Sequence, residues 1–120
     1  MEKVTGIGGV FFRSANPDEL AKWYLDNLGI NLAPQDMDMQ PWVTEPGVTV
    51  FAPFGAETDY FPAEKSFMLN FRVNDLDAML AQLRGADIEV SQEMAMEGVG
   101  RFARIHDPEG NPIELWEPAS

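Results

Sequence analysis

Two stretches of this chain follow one plan, and that repetition constrains the fold more than any other feature. Residues 5–14 (TGIGGVFFRS) form an apolar, aromatic stretch that reads as a strand. Asn16 then caps, Pro17 suits the first helical position, and Glu19 follows three residues after the cap. Leu20, Ala21, Trp23, Tyr24 and Leu28 recur at helical spacing until Gly29 stops the helix. The order returns at residues 66–85: a strand (SFMLNFRV), Asp75 as cap, Leu76, Met79, Leu80 and Leu83 on a helix, then Gly85. With an offset of 59 positions, Phe12 meets Phe71, Arg13 meets Arg72, Asp18 meets Asp77, and the caps Asn16 and Asp75 coincide. A shift close to half of 120 residues is what a duplication would give.

Short strands are expected at 30–33, 41–44 and 48–54, the last two joined through the turn residues Glu45-Pro46-Gly47. A loop is expected at 56–65, a short strand at 88–91, and a loop or irregular strand at 92–99. Strands at 100–106 and 113–117 flank Asp107-Pro108-Glu109-Gly110-Asn111-Pro112, a strong turn signal. The expected fold is therefore α+β in a single domain, residues 1–120. Two tandem βαβββ modules, 1–59 and 60–120, would form a curved mixed sheet, a half-barrel with helices on its outer face. The concave face then needs filling by side chains, a ligand or a partner chain.

Composition removes several functions. Eight Lys and Arg against twenty Asp and Glu leave a net charge of −12. Such a chain has no electrostatic basis for holding nucleic acid, and an anionic membrane repels it. No apolar run is long enough to cross a bilayer, and the N-terminus lacks the pattern of a secretory signal. With no cysteine, disulfides, thiolate metal sites and cysteine nucleophiles are excluded, and the cytoplasm is the expected location. No phosphate-binding Gly-Lys loop, dinucleotide fingerprint or Gly-x-Ser-x-Gly elbow occurs.

The segments FFRSANPDELAKWYLDNLGI, NFRVNDLDAMLAQL and the closing DPEGNPIELWEP resemble the vicinal oxygen chelate superfamily. That group includes glyoxalase I, bleomycin-resistance proteins and extradiol dioxygenases. The resemblance covers nearly the whole chain. It implies four metal ligands on the concave face in metal-using members. Here the positions matching the two histidines are Gly9 and Met68, the mid-chain ligand falls near Thr49 or Val50, and only the final carboxylate is kept, as Glu114. Gly9 offers no donor and Met68 only a soft thioether, so no metal or other cofactor is expected. The alternative is a divalent ion near Glu114. The resemblance also implies a homodimer, sometimes formed by exchanging modules. The free edge of each half-barrel gives a physical reason to pair.

Strand alternation places Phe11 and Arg13 on the same face as Gly9, Asn70 and Arg72 with Met68, and Pro112 and Trp116 with Glu114. Val10, Phe12, Leu69, Phe71 and Val73 would face the helices. Phe11, Arg13, Trp42, Met68, Asn70, Arg72 and Glu114 are the candidate ligand-binding residues. The arginines would hold an anionic group on a ligand, or pair with Asp18, Asp75 or Glu114. Glu114 would accept hydrogen bonds or act as a general base, or pair with an arginine; no other catalytic residue stands out. Asn70 would bond a ligand carbonyl or backbone groups. Trp42 would stack on a ligand or pack against the second module or a partner. Tyr60 and Phe61 would cover a pocket mouth or dock on a partner. Met37, Met39, Met94 and Met96 could line adaptable apolar surface. His106, the sole histidine, suits a surface or turn position.

The expectation is a metal-free, glyoxalase/bleomycin-resistance-like small-molecule-binding protein, cytoplasmic and homodimeric. The alternatives are a metal-dependent lyase, isomerase or dioxygenase with divergent ligands, or a module whose concave face binds another protein.

Overall fold

Local sequence signals set both helices. A computed structural model describes all residues, 1–120, and its first regular element is α1, Pro17–Leu28. The Asn16 side chain accepts from the Glu19 amide at 3.4 Å, and Gly29 adopts a left-handed φ of 70° to end the helix. β1 (Leu69–Arg72) and α2 (Leu76–Gly85) follow, with Asp75 accepting from the Ala78 amide at 3.0 Å. The two helices start at equivalent points of the repeat. β2 (Ser91–Met96), β3 (Gly100–His106) and β4 (Pro112–Pro118) complete the chain.

The sheet is open and has the order β1-β4-β3-β2. β1 runs parallel to β4, and the other pairings are antiparallel. The second module is thus a full βαβββ unit. Both helices pack on one face of its sheet. Leu20 and Tyr24 of α1 and Leu76, Leu80 and Leu83 of α2 meet Ala103, Ile105, Ile113 and Leu115. Phe12, Phe71 and Val73 pack against this core, as alternation predicts. Each fully buried leucine or isoleucine here contributes about 1.5–3 kcal/mol.

The first module differs from its sequence pattern. Stretches 5–14, 30–33, 41–44 and 48–54 make no sheet ladder. Alternation proposes a strand, but a ladder also needs a neighbour's backbone groups, and within one chain these stretches find none. Ile7, Phe11, Val43, Val48, Val50 and Phe51 are consequently exposed. The strand expected at 88–91 is displaced onto β2, within the stretch expected to be loop or irregular. Ile88 and Val90 pack against the core instead. β2 pairs with β3 irregularly between Ser91 and Met94, where Gln92 takes a φ of 50°.

The closing turn ties the first module to the sheet. Asp107 is buried, yet all its hydrogen bonds come from neutral donors. Oδ1 accepts from the amides of Glu109 (2.9 Å) and Asn111 (3.0 Å). Oδ2 accepts from Asn111 Nδ2 and from the Tyr24 hydroxyl, both at 2.7 Å. Two residues on in the same turn, the Glu109 carboxylate takes the Ala15 amide (3.0 Å), the Ser14 hydroxyl (2.7 Å) and the Asn16 amide (3.3 Å). These hold the start of α1 against the β3–β4 turn.

Replacing Asp107 with Ala strands buried donors and is expected to cost about 3 kcal/mol or more in denaturant unfolding. Tyr24→Phe, which removes one donor, should cost about 1 kcal/mol. The Ser14 hydroxyl and Ala15 amide hold the Glu109 carboxyl below its ordinary 4.5. Its stabilising contribution is therefore present above that value and is lost as pH falls through the lower folded value. Glu109→Gln should flatten this acid limb in pH-dependent melting; an unchanged limb counts against the contact.

Candidate functional site

The sheet face turned from the helices carries a polar row. Asn70 of β1 stands opposite Glu114 of β4, which stands opposite Arg104 of β3. Directly paired residues point to the same side, so three strands aim three polar side chains at one place. The next row is Arg72, Trp116 and Phe102. Phe102 and Trp116 stack with ring centroids 6.0 Å apart and 3° between planes, and the Trp116 indole donates to Val99 O at 2.9 Å.

Charge is buried in the polar row. Glu114 is 8% exposed and Arg104 only 4%. Glu114 Oε1 accepts from Asn70 Nδ2 at 2.8 Å, and Oε2 accepts from the Tyr60 hydroxyl. Both oxygens are therefore held by neutral donors. Arg104 Nη2 donates to the backbone carbonyl of Tyr60 at 2.9 Å, with Cζ 5.3 Å from the Tyr60 ring centre. Arg104 Nε is buried with no hydrogen-bond partner. Such an unmet donor costs about 1–3 kcal/mol. Burial, then the Glu114 hydrogen bond and charge, push the Tyr60 hydroxyl up to about 12, against the opposing pull of Arg104. It stays a protonated donor at neutral pH.

Residues 55–65 supply the cover. Tyr60 lies over the row, and Phe54 packs against both Tyr60 (5.5 Å between centroids) and Phe61 (5.8 Å). A hollow of about 300 Å³ lies elsewhere, between Glu45, Arg72 and the start of α2.

The structure brings only some of the predicted residues together. Asn70 and Glu114 meet in the polar row. Arg72 lies one row along, and its Nη2 donates to the Glu45 carbonyl at 3.1 Å while its guanidinium covers Gly47. No acid is paired with it. Trp42 packs edge-on against Phe71, with centroids 6.1 Å apart, on the helix side of β1. Phe11 is exposed and folds its ring back over Gly9, and Arg13 is also exposed. Met68, half-buried, immediately precedes β1. His106 is exposed at the end of β3. Arg104 was not foreseen. Its signal was nevertheless present: counting outward from the Asp107 turn sets Arg104 opposite Glu114.

The glyoxalase-like domain matches residues 9–116, almost the whole chain. This chain belongs to the glyoxalase-like domain family. An antibiotic binding protein, TnmS3, from Streptomyces sp. CB03234 is 30% identical, with a TM-score of 0.54 over 87% of this chain and 88% of that one. A glyoxalase/bleomycin resistance protein from the same organism is 28% identical, with a TM-score of 0.55 over 86% and 92%. A bleomycin resistance determinant encoded on the transposon Tn5 shares the fold at 18% identity, with a TM-score of 0.54 over 89% and 92%. Among curated proteins, none matches the chain. No helix of this glyoxalase-like domain is long and apolar enough to cross a membrane.

The donor set does not suit the divalent ion used by metal-dependent members. No three His, Cys, Asp or Glu side chains come together to hold an ion. The two oxygens of Glu114 already accept from Asn70 and Tyr60. A hard cation needs several converging oxygen or nitrogen donors.

Both tyrosines of this glyoxalase-like domain are held protonated, Tyr60 to about 12 and Tyr24, buried on Asp107, higher still. Stability from Tyr60 is present below the unfolded value of 10.0 and is lost as pH rises through about 12. Ultraviolet titration of the folded protein should show no phenol ionising near pH 10. A normal phenol in the folded state would contradict the Tyr60–Glu114 contact.

Proposed function

We propose that this domain binds a small molecule on the sheet face around Glu114 and holds it without a metal, in the cytoplasm, as a sequestering protein of the bleomycin-resistance kind. The observation that carries this reading is the row of Asn70, Glu114 and Arg104, its two charged members buried, aimed away from the core and overlaid by Tyr60. Small-molecule sites have just this character: apolar and aromatic walls with few polar groups that fix orientation. The likeness to an antibiotic binding protein over most of both chains supports the same reading.

The functional unit is a homodimer. The exposed apolar residues of 5–14 and 41–54, with their unpaired backbone, support a second copy supplying the missing ladder partners. The domain is expected to sediment at twice its 13.4 kDa mass. Phe51→Lys should shift it towards monomer, and a monomeric wild type would remove this part of the reading.

Calorimetry against a panel of structurally diverse natural-product antibiotics tests the binding itself. The expected result is saturable binding, unchanged by a chelator, with the compound recovered intact by mass spectrometry. Glu114→Ala should weaken binding roughly tenfold or more. Stoichiometric metal with metal-dependent consumption of the compound would instead establish a lyase, isomerase or dioxygenase.

A further inference from the structure

Tyr60 presents the features of a ligand from a single residue. Its phenol donates to Glu114 Oε2, its ring lies 5.3 Å from Arg104 Cζ, and its backbone carbonyl accepts from Arg104 Nη2. All three contacts fall on the cross-strand pair Arg104 and Glu114. Resting on the binding reading above, we propose that Tyr60 is the built-in occupant of the ligand position, and that the ligand displacing it is a neutral phenol. The ligand's hydroxyl donates to Glu114 and its ring covers Arg104.

Charge selects this class. One carboxylate and one guanidinium make the pair neutral overall. An anionic ligand would meet Glu114, whose oxygens are oriented to receive donors. A cationic ligand would meet Arg104, which forms no ion pair of its own. A phenol answers both groups: an O–H for the carboxylate and a π-face for the guanidinium. An aliphatic alcohol offers only the first, and an unsubstituted arene only the second.

The occupant is built to leave. Tyr60 sits in a loop outside every helix and strand, closed by short turns in which Thr58 N donates to Gly55 O and Lys65 N to Pro62 O. Its fit is also incomplete, since Arg104 Nε stays without an acceptor while Tyr60 is in place. A phenol bearing an acceptor substituent can satisfy that donor as well. Phe54 and Phe61 provide aromatic surface beside the vacated ring position.

The test uses p-cresol and its hydroxyl-free isostere toluene, read by the tyrosine ring signals in NMR. The chain has two tyrosines, and Tyr24, fastened to Asp107, serves as the internal control. Titrating wild type with p-cresol should shift the Tyr60 signals saturably and leave Tyr24 still. Toluene should bind roughly tenfold more weakly. Tyr60→Ala, which removes the competitor, should bind p-cresol roughly tenfold more tightly than wild type. Glu114→Gln should erase the preference for p-cresol over toluene. Equal affinity for the two probes, no gain in Tyr60→Ala, or Tyr24 shifting together with Tyr60 overturns the proposal. A panel antibiotic that binds in a Glu114-dependent way while Tyr60 stays in place overturns the phenol class alone. The absence of binding by either probe or any panel compound overturns the binding reading with it.

Discussion

The buried carboxylate of Asp107 is the contact on which the architecture depends. A charge in a domain interior is tolerated only where hydrogen bonds replace its lost water, and four neutral donors do so here. Three of those bonds shape the β3–β4 turn, and the fourth reaches α1 through Tyr24. Glu109 adds a second fastening, from the same turn to the start of that helix. The segment most characteristic of the family's C-terminal end therefore has a structural duty. It sets the register of β3 against β4, and so brings Arg104 opposite Glu114.

That register produces the chemistry. On the helix side, the same two strands contribute Ala103, Ile105, Ile113 and Leu115 to a dry core. One residue along, they turn Arg104 and Glu114 to the other face. A slip of one position would exchange the faces and place both charges against leucine, so core packing enforces the site's alignment. Tyr60 lies over the charged part of the row, bonding Glu114 and Arg104 at once.

Glu114 of that row has an amide, a guanidinium and a phenol as its neighbours. The carboxylate is arranged to accept hydrogen bonds from neutral donors.

Much of the fold is legible in local signals. Asn16 and Asp75 cap, Gly29 terminates, and apolar spacing delimits α1 and α2, because caps and periodicity act within a few residues. The Asp107–Pro112 turn and its flanking strands are equally local. Alternation together with the family resemblance assigns Glu114 and Asn70 to one face, which the pairing of β1 with β4 then fixes. Other features depend on contacts distant in sequence. Whether 5–14 or 48–54 joins a ladder depends on a neighbouring strand, which no local pattern supplies. Trp42 lies on Phe71 and Arg72 on Glu45 because loops returned to those places, at separations that periodicity does not encode. The two helices, their caps and the strand–turn–strand at the C-terminal end were determined by the sequence itself. The pairing of Glu114 with Tyr60 and the burial of Arg104 were decided only in three dimensions, where packing brings together groups tens of residues apart.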